Sequence, residues 1–251
     1  MSAPSFNLSG RTALVTGAGR GIGLAISEAL AASGAEVVLC ARSGDEIEAA
    51  AERIRAAGYT ASALALDVTD VEAVQAQIAE RPAFDIFVNN AGTNRPKPLT
   101  EVTLEDYDAV LGLNLRAAIF AAQAVSARML EDERPGSIIN MSSQMGHVGG
   151  RNRTLYCASK WGLEGFTKAL AIELAPHQIR VNTICPTFVR TPMTAPFFED
   201  AAFASEVLTK IPMGRVGDVS DITGAAIYLA SDSARMVTGS AMMVDGGWTA
   251  Q

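Results

Sequence analysis

The chain has 251 residues, of which 49% are hydrophobic and 19% charged, so it has enough apolar material for a sizeable core. Its net charge of −7 argues against a nucleic-acid partner, which would require a basic face. Cys40, Cys157 and Cys185 lie far apart without CxxC spacing, so we expect reduced thiols rather than a disulfide framework.

Short apolar runs alternate with amphipathic runs along the whole chain. The seven apolar runs predicted to be strands are Thr12–Thr16, Glu36–Cys40, Ala61–Leu66, Phe84–Asn89, Ser137–Met141, Ile179–Cys185 and Ala241–Asp245. Helical spacing of apolar side chains lies between them, for example from Ile22 to Leu30 and from Ile47 to Ile54. This alternation predicts a single α/β domain over residues 1–251, a doubly wound sheet of about seven parallel strands with helices on both faces. The irregular segment 187–217, which contains three prolines, is predicted to be a substrate lid.

A glycine-rich turn follows the first predicted strand and leads directly into the first predicted helix. It reads Thr16-Gly-Ala-Gly-Arg-Gly-Ile-Gly23, which fits T-G-x-x-x-G-x-G and does not fit G-x-G-x-x-G. Backbone N–H groups at such a helix start can bind a pyrophosphate, and the helix dipole favours its negative charge. The alternative is a tight turn without a ligand, but so many glycines cost backbone entropy that a bare turn would not need. The turn therefore predicts a dinucleotide-phosphate site.

Three motifs in chain order resemble the short-chain dehydrogenase/reductase family. They are the glycine-rich turn, Asn89-Asn-Ala-Gly92 after the fourth predicted strand, and Tyr156-Cys-Ala-Ser-Lys160 at the start of a predicted helix. The resemblance extends from Gly10 to Gly247. It implies a Rossmann-type fold and hydride transfer between a nicotinamide cofactor and a carbonyl or alcohol substrate.

The spacing of Tyr156 and Lys160 puts both on one face of the predicted helix Tyr156–Leu174. A nearby ammonium would lower the pKa of a phenol from its ordinary value of ~10. The resemblance implies that Tyr156 is the general acid/base and that Lys160 lowers its pKa and binds the nicotinamide ribose. It also implies that Ser143 holds the substrate oxygen and that Asn114 supports a water-mediated proton route to Lys160. Ser142 competes with Ser143, but the 13-residue separation of Ser143 from Tyr156 is usual in the family, so Ser142 is expected to make structural hydrogen bonds.

The resemblance also predicts the cofactor site. Family members that prefer NAD carry an acid at the end of the second strand, where this chain has Ala41 followed by Arg42. Arg42 and Arg20 without a carboxylate suit a 2′-phosphate, so NADP is favoured over NAD. The alternative is that both arginines are solvated and that Asp45 or Glu46 turns inward. Together with Tyr156 and Lys160, the cofactor-binding residues implied by the resemblance are Gly17, Arg20, Gly21, Ile22, Gly23, Arg42, Asp67, Val68, Asn90, Ala91, Gly92, Val189 and Thr191.

Polar residues surround the predicted substrate side. In addition to Ser143, the candidate substrate-binding residues are His147, Arg151 and Arg153, with Arg95 and Lys97 on the loop after Gly92. So polar a rim suggests a sugar, a polyol or a sugar acid, although these residues could instead serve solvent or subunit contacts. The rival functions are reduction of a 3-oxoacyl thioester and, from another class, a non-catalytic dinucleotide-sensing regulator, which would usually lack the tyrosine or the lysine.

The remaining expectations concern metals, partners and location. His147 and His177 are the only histidines and lack ligand spacing, so no metal is expected. No basic region followed by an apolar run begins the chain, and no stretch approaches ~18 uninterrupted apolar residues. We expect a cytoplasmic protein with a small-molecule substrate and no nucleic-acid or membrane partner. The family resemblance favours a homotetramer in which the long helices Leu104–Leu130 and Tyr156–Leu174 pack across an interface.

Overall fold

The computed structural model describes residues 5–251, which form seven strands and eight α-helices. The strands are β1 (Thr12–Thr16), β2 (Glu36–Ala41), β3 (Ala61–Ala65), β4 (Ile86–Asn89), β5 (Gly136–Met141), β6 (Ile179–Pro186) and β7 (Ala241–Val244). The helices are α1 (Gly21–Ala32), α2 (Gly44–Ala56), α3 (Val71–Ala79), α4 (Leu104–Leu111), α5 (Ala118–Glu131), α6 (Thr154–Leu174), α7 (Ala201–Thr209) and α8 (Val219–Ala230).

All seven strands pair in parallel in the order β3-β2-β1-β4-β5-β6-β7. The chain winds outward in one direction from β1 to β3, then returns to the middle and winds the other way from β4 to β7. The strand order therefore reverses between β1 and β4, and in such sheets ligands bind outside the carboxyl ends of the strands at this point. The prediction of a doubly wound parallel sheet in a single domain is confirmed.

Two apolar layers cover the two faces of the sheet. Side chains of α1, α2 and α8, among them Ile26, Ile47 and Leu229, pack on one face. Side chains of α3, α5 and α6 pack on the other, where Phe87 and Met129 are fully buried. Because both faces are covered, the strands read as continuous apolar runs rather than as an alternating pattern.

The region predicted as one helix over Leu104–Leu130 is interrupted. A π-helical turn, Gly112–Ala117, separates α4 from α5 and carries the buried side chain of Asn114. The whole helical run Leu104–Glu131 has 28 residues and contains an 18-residue window with a mean hydropathy of 1.4, so length and composition alone would allow it to cross a membrane. A core helix of a globular fold passes the same test, and 44% of this apolar window is buried inside the fold. The run is therefore weak evidence for a membrane span.

Candidate active site

A cleft of about 750 Å³ lies at the carboxyl ends of the strands. It extends from the glycine-rich turn after β1 to the start of α6. The proposed cofactor and catalytic residues that line it are Gly17, Arg20, Gly21, Ile22, Gly23, Arg42, Asp67, Val68, Asn90, Ala91, Gly92, Ser143, Tyr156, Lys160, Val189 and Thr191. Asn114, His147, Arg151 and Arg153 are not among its lining residues. Several lining residues belong to no sequence motif and were not predicted, including Thr69, Leu113 and Met193.

The glycine-rich turn is packed so closely that a side chain would not fit at its centre. A Cβ atom on Gly23 would lie 2.4 Å from the Gly17 carbonyl oxygen and 2.5 Å from the Asn90 side-chain nitrogen. The Asn90 amide donates to the carbonyls of Thr16, at 2.8 Å, and Gly17, at 3.2 Å. Gly17 itself has a φ of +65°, which favours glycine. The turn after β1 is thus held to the end of β4, and Asn90 fixes the turn itself.

The end of β2 carries charges of both signs. Arg20 and Arg42 are exposed, and the Arg42 side chain makes only a distant 4.0 Å ion pair with Asp67. Glu46, at the start of α2, lies against the turn, since a Cβ on Gly19 would be 2.9 Å from its carboxyl carbon. The Glu46 side chain therefore turns inward and lines the cleft together with the two arginines, as the alternative interpretation of the sequence allowed.

Tyr156 and Lys160 occupy one face of α6 near its start. The Lys160 ammonium donates to the Met141 carbonyl at the end of β5, at 2.8 Å, and lies 5.6 Å from the centroid of the Tyr156 ring. Burial lowers the pKa of Lys160 to about 8. Burial also raises the pKa of Tyr156, and the neighbouring Ser143 hydroxyl and the charge of Arg153 oppose this rise. Loss of hydration therefore outweighs the nearby groups that lower the pKa of the phenol, and the lowering of that pKa by Lys160 stays a prediction.

The two serines after β5 differ in their hydrogen bonds. Ser143 donates to the Gln144 side-chain carbonyl at 2.7 Å and accepts from the Met145 N–H at 3.1 Å. The buried Ser142 hydroxyl has no hydrogen-bond partner within residues 5–251, whereas the Ser142 N–H donates to the Ile184 carbonyl at 2.8 Å, so the backbone of Ser142 makes a structural hydrogen bond and its side chain makes none there. Gln144, which the sequence analysis did not single out, orients the Ser143 hydroxyl, and its position directly after Ser143 is the one signal that could have indicated it.

Asn114 lies behind the cleft in the π-helical turn. Its side chain accepts from the Thr93 N–H at 2.8 Å and donates to the Thr93 carbonyl at 2.9 Å and to the Ser159 hydroxyl at 3.2 Å. The amide therefore ties the loop after β4 to α6. A Cβ on Gly92 would lie 3.3 Å from the Asn114 oxygen and 3.9 Å from the Lys160 nitrogen, so these two atoms flank Gly92.

The segment after β6 lines the cleft with Thr187, Val189 and Thr191. Val189 is buried and pairs with Gly217, and the Thr191 side chain lies across the glycine-rich turn near Gly21. The Thr187 hydroxyl is buried and without a hydrogen-bond partner in the described chain. The predicted lid segment continues through a 3-10 helix, Ala195–Glu199, and through α7.

His147 turns away from the cleft into a buried polar cluster. Its Nε2 atom lies 3.5 Å from the Cys185 sulfur and 3.4 Å from a Glu164 carboxylate oxygen. The Cys185 thiol donates to Glu164 at 3.3 Å, and burial raises the pKa of Cys185 to about 12. These three side chains could surround a metal ion, but a metal would first have to displace the proton that Cys185 shares with Glu164. Glu164 follows Lys160 by one helical turn, a spacing that could have indicated it.

The cations predicted at the substrate rim have different environments. Arg95 and Lys97 both bind Asp106, at 3.3 and 2.7 Å, so this part of the expected free basic rim is neutralised. Arg151 is exposed, and it contributes, after Lys210, to a lowered pKa of Glu206 in α7. The Arg153 side chain is buried instead.

The composition of the cleft fits a dinucleotide. Its glycine-rich turn leaves backbone N–H groups free of side chains at the start of α1, as a pyrophosphate requires. The unpartnered hydroxyls of Ser142 and Thr187 lie at the other end, where polar groups of a ligand could satisfy them. Together with the tyrosine–lysine pair, these features define a dinucleotide-dependent oxidoreductase.

Comparisons with known proteins identify the family. The family profile described as Enoyl-(Acyl carrier protein) reductase matches residues 17–249. Among curated proteins, the chain is 39% identical to L-xylulose reductase of Bos taurus, over 97% of this chain and 98% of that protein. It is 37% identical to gluconate 5-dehydrogenase of Gluconobacter oxydans, over 99% of each. It is 40% identical to 3-oxoacyl-[acyl-carrier-protein] reductase of Vibrio harveyi, over 96% of this chain and 98% of that protein.

A solved structure agrees over the whole fold. The gluconate 5-dehydrogenase from Burkholderia cenocepacia, in complex with NADP and tartrate, superimposes with a TM-score of 0.95 at 36% identity. The alignment covers 99% of this chain and 98% of that one. The chain belongs to the short-chain dehydrogenase/reductase family, whose members are oxidoreductases that act on alcohol and carbonyl groups.

Proposed function

We propose that this protein is an NADP-dependent oxidoreductase that interconverts a carbonyl and a secondary alcohol on a sugar, a polyol or a sugar acid. The observation that carries the proposal is the meeting of Ser143, Tyr156 and Lys160 at the inner end of a cleft that begins at a phosphate-binding turn. When bound, the nicotinamide would supply or accept the hydride. The chain's own residues must hold the substrate oxygen and move its proton.

Tyr156 is the proposed general acid/base. Because burial raises its pKa, the phenol stays protonated at neutral pH and can donate to a carbonyl oxygen. Ser143, oriented by Gln144, holds the same oxygen. Lys160, with a pKa of about 8, can hold or release a proton near neutrality and binds the ribose of the cofactor. Asn114 holds the loop beside Lys160 and supports a water-mediated proton route to it.

The preference for NADP rests on charge at the end of β2. Arg20 and Arg42 can form charge-assisted hydrogen bonds with a 2′-phosphate, and Ala41 offers no carboxylate to the ribose hydroxyls of NAD. Glu46 opposes this preference, but it lies against Gly19, on the turn. The NADP in the complex of the Burkholderia cenocepacia relative supports the same choice.

Polar substrates are favoured over acyl thioesters by two observations. The named activities of two relatives, L-xylulose reductase and gluconate 5-dehydrogenase, concern sugars or sugar acids. A buried arginine, Arg153, also precedes α6 about one helical turn before Tyr156. The relative that reduces 3-oxoacyl groups keeps thioester reduction as the second candidate.

The proposal also includes a substrate lid, a homotetrameric assembly and a cytoplasmic location. We propose that 187–217 acts as the substrate lid, since Pro192, Met193 and Thr194 line the cleft. A homotetramer is supported by large apolar side chains exposed on α4 and α6, including Leu104 at 84%, Trp161 at 54% and Ile172 at 76%. Three free thiols support a cytoplasmic location.

The test is a substrate panel followed by nicotinamide absorbance with NADP(H) and NAD(H) in parallel. The panel contains L-xylulose, D-gluconate and an acetoacetyl thioester. We expect turnover of a sugar or sugar acid, faster with the phosphorylated cofactor. Turnover of the thioester alone would establish the second candidate instead.

A further inference from the structure

Arg153 has an environment that no other arginine of residues 5–251 shares, because it is the only buried arginine there, with 7% of its surface exposed. Its side chain makes one hydrogen bond, a long one of 3.5 Å, to the carbonyl of its neighbour Asn152. Within the described chain no carboxylate forms an ion pair with it, whereas Arg134 pairs with Asp85 and Arg215 with Asp221. A buried guanidinium without an anion is unfavourable, and burial lowers its pKa accordingly.

The position of Arg153 relates it to the reacting end of the cleft. It is the residue that precedes α6, three positions before Tyr156, so the two lie about one helical turn apart. Tyr156 is the titratable group whose charge acts most strongly on Arg153. The helix dipole of α6 adds to the positive potential at this point.

An aromatic ring of the proposed lid covers the guanidinium. The Arg153 carbon at the centre of the guanidinium lies 5.3 Å from the centroid of Phe197, in the 3-10 helix Ala195–Glu199. Phe197 belongs to an aromatic cluster with Phe203 and Phe188, whose centroids are 5.5–6.1 Å apart. The ring covers one side of the cation, and no carboxylate of residues 5–251 forms an ion pair with its N–H donors.

We infer that Arg153 binds the carboxylate of the substrate, so that this enzyme acts on anionic sugar acids in preference to neutral ketoses or polyols. One guanidinium presents two parallel N–H donors and one unit of charge, which match a carboxylate. A phosphate dianion would call for further cations, but Arg95 and Lys97 already bind Asp106. The inference rests on the proposed function and narrows its substrate class.

The experiment compares D-gluconate with D-gluconamide, which differ only in the charged carboxylate and the neutral amide. Oxidation of each is followed with NADP, and binding of each to the enzyme–NADP complex is measured by calorimetry. We expect at least tenfold tighter binding of gluconate. Arg153→Gln should lower kcat/KM for gluconate by about 10- to 100-fold and leave gluconamide and NADP within about threefold. Arg153→Lys keeps the positive charge but loses the pair of parallel N–H donors, so its kcat/KM for gluconate should lie between those of the parent enzyme and Arg153→Gln.

Arg235→Gln is the matched control, because Arg235 is exposed and follows the 3-10 helix Asp232–Ala234, outside the residues that line the cleft. It should leave all these constants within about twofold. Equal binding of gluconate and gluconamide would overturn the inference, as would an Arg153→Gln enzyme that still distinguishes them. If 6-phosphogluconate bound more tightly than gluconate and lost this advantage in Arg153→Gln, Arg153 would bind a substrate phosphate and not the carboxylate, and the inference would be overturned. Reduction of L-xylulose together with equal use of gluconate and gluconamide would overturn the inference and leave the proposed function intact. Turnover of no sugar at all would overturn the proposed function. In that case the calorimetric comparison of gluconate with gluconamide would still test the role of Arg153.

Discussion

Gly23→Ala is expected to disable the cofactor end of the cleft. The added methyl would lie 2.4 Å from the Gly17 carbonyl oxygen and 2.5 Å from the Asn90 amide nitrogen, distances that no Cβ contact tolerates. Either the turn or Asn90 must move. Movement of Asn90 would break its hydrogen bonds to Thr16 and Gly17, of 2.8 and 3.2 Å, which hold the turn to β4.

The magnitude follows from the kind of contact. Forcing one methyl into a closely packed site costs about 1–3 kcal/mol, which corresponds to a melting temperature lower by roughly 2–12 °C for a domain of this size. Since the turn that moves is the proposed pyrophosphate site, affinity for NADP should fall at least about tenfold. Thermal unfolding and calorimetric titration with NADP measure the two effects separately.

Gly224→Ala is the matched control within the same chain. Gly224 lies inside α8, is exposed, and an added Cβ would find no atom within 4 Å. The same substitution should therefore stabilise the protein by about 0.5–1 kcal/mol through helix propensity and leave NADP binding unchanged. A Gly23→Ala protein that melts and binds NADP like the parent would refute the argument that packing at Gly23 shapes the turn.

Two further predictions concern the chemistry and the cofactor. Tyr156→Phe should retain NADP affinity and lower the turnover rate by orders of magnitude. Ser143→Ala should lower the turnover rate nearly as much, and Ser142→Ala much less. If steady-state kinetics showed the larger loss for Ser142→Ala, the contact with the substrate oxygen would belong to Ser142 instead. The unmodified protein should bind NADP about 10- to 100-fold more tightly than NAD, and the double variant Ala41→Asp with Arg42→Ile should reverse this preference. The new carboxylate would bind the ribose hydroxyls of NAD and repel the 2′-phosphate of NADP. Tighter binding of NAD than of NADP by the unmodified protein would contradict this assignment.

Local patterns were sufficient to predict the sheet and the elements around the cleft. The strands are apolar on both faces because helices cover both, so each appears as a short apolar run in the sequence. The glycine-rich turn after β1 and the tyrosine–lysine pair on α6 depend on neighbours within a few residues. Their meeting in one cleft follows from the parallel arrangement, which brings the carboxyl ends of all strands to one edge.

Features set by distant partners could not be predicted in this way. The apolar pattern over 104–130 gave no sign of the π-helical turn, because its Asn114 side chain is held by Thr93 and by Ser159, which lies in another helix. The direction of His147 depends on Cys185 at the end of β6, 38 positions along the chain. Arg95 and Lys97 appeared free until α4 brought Asp106 beside them. In each case the deciding contact is a tertiary one.

The helix α6 shows why burial matters as much as spacing in this site. Spacing alone places Lys160 beside Tyr156 and suggests that an ammonium would make the phenol a stronger acid. Burial acts on both groups in favour of their neutral forms, so it raises the pKa of Tyr156 and lowers that of Lys160 to about 8. Reduction of a carbonyl begins from the protonated phenol, which this environment favours. Oxidation of an alcohol needs the phenolate, so it depends on the positive groups that remain near Tyr156, namely Lys160 and Arg153.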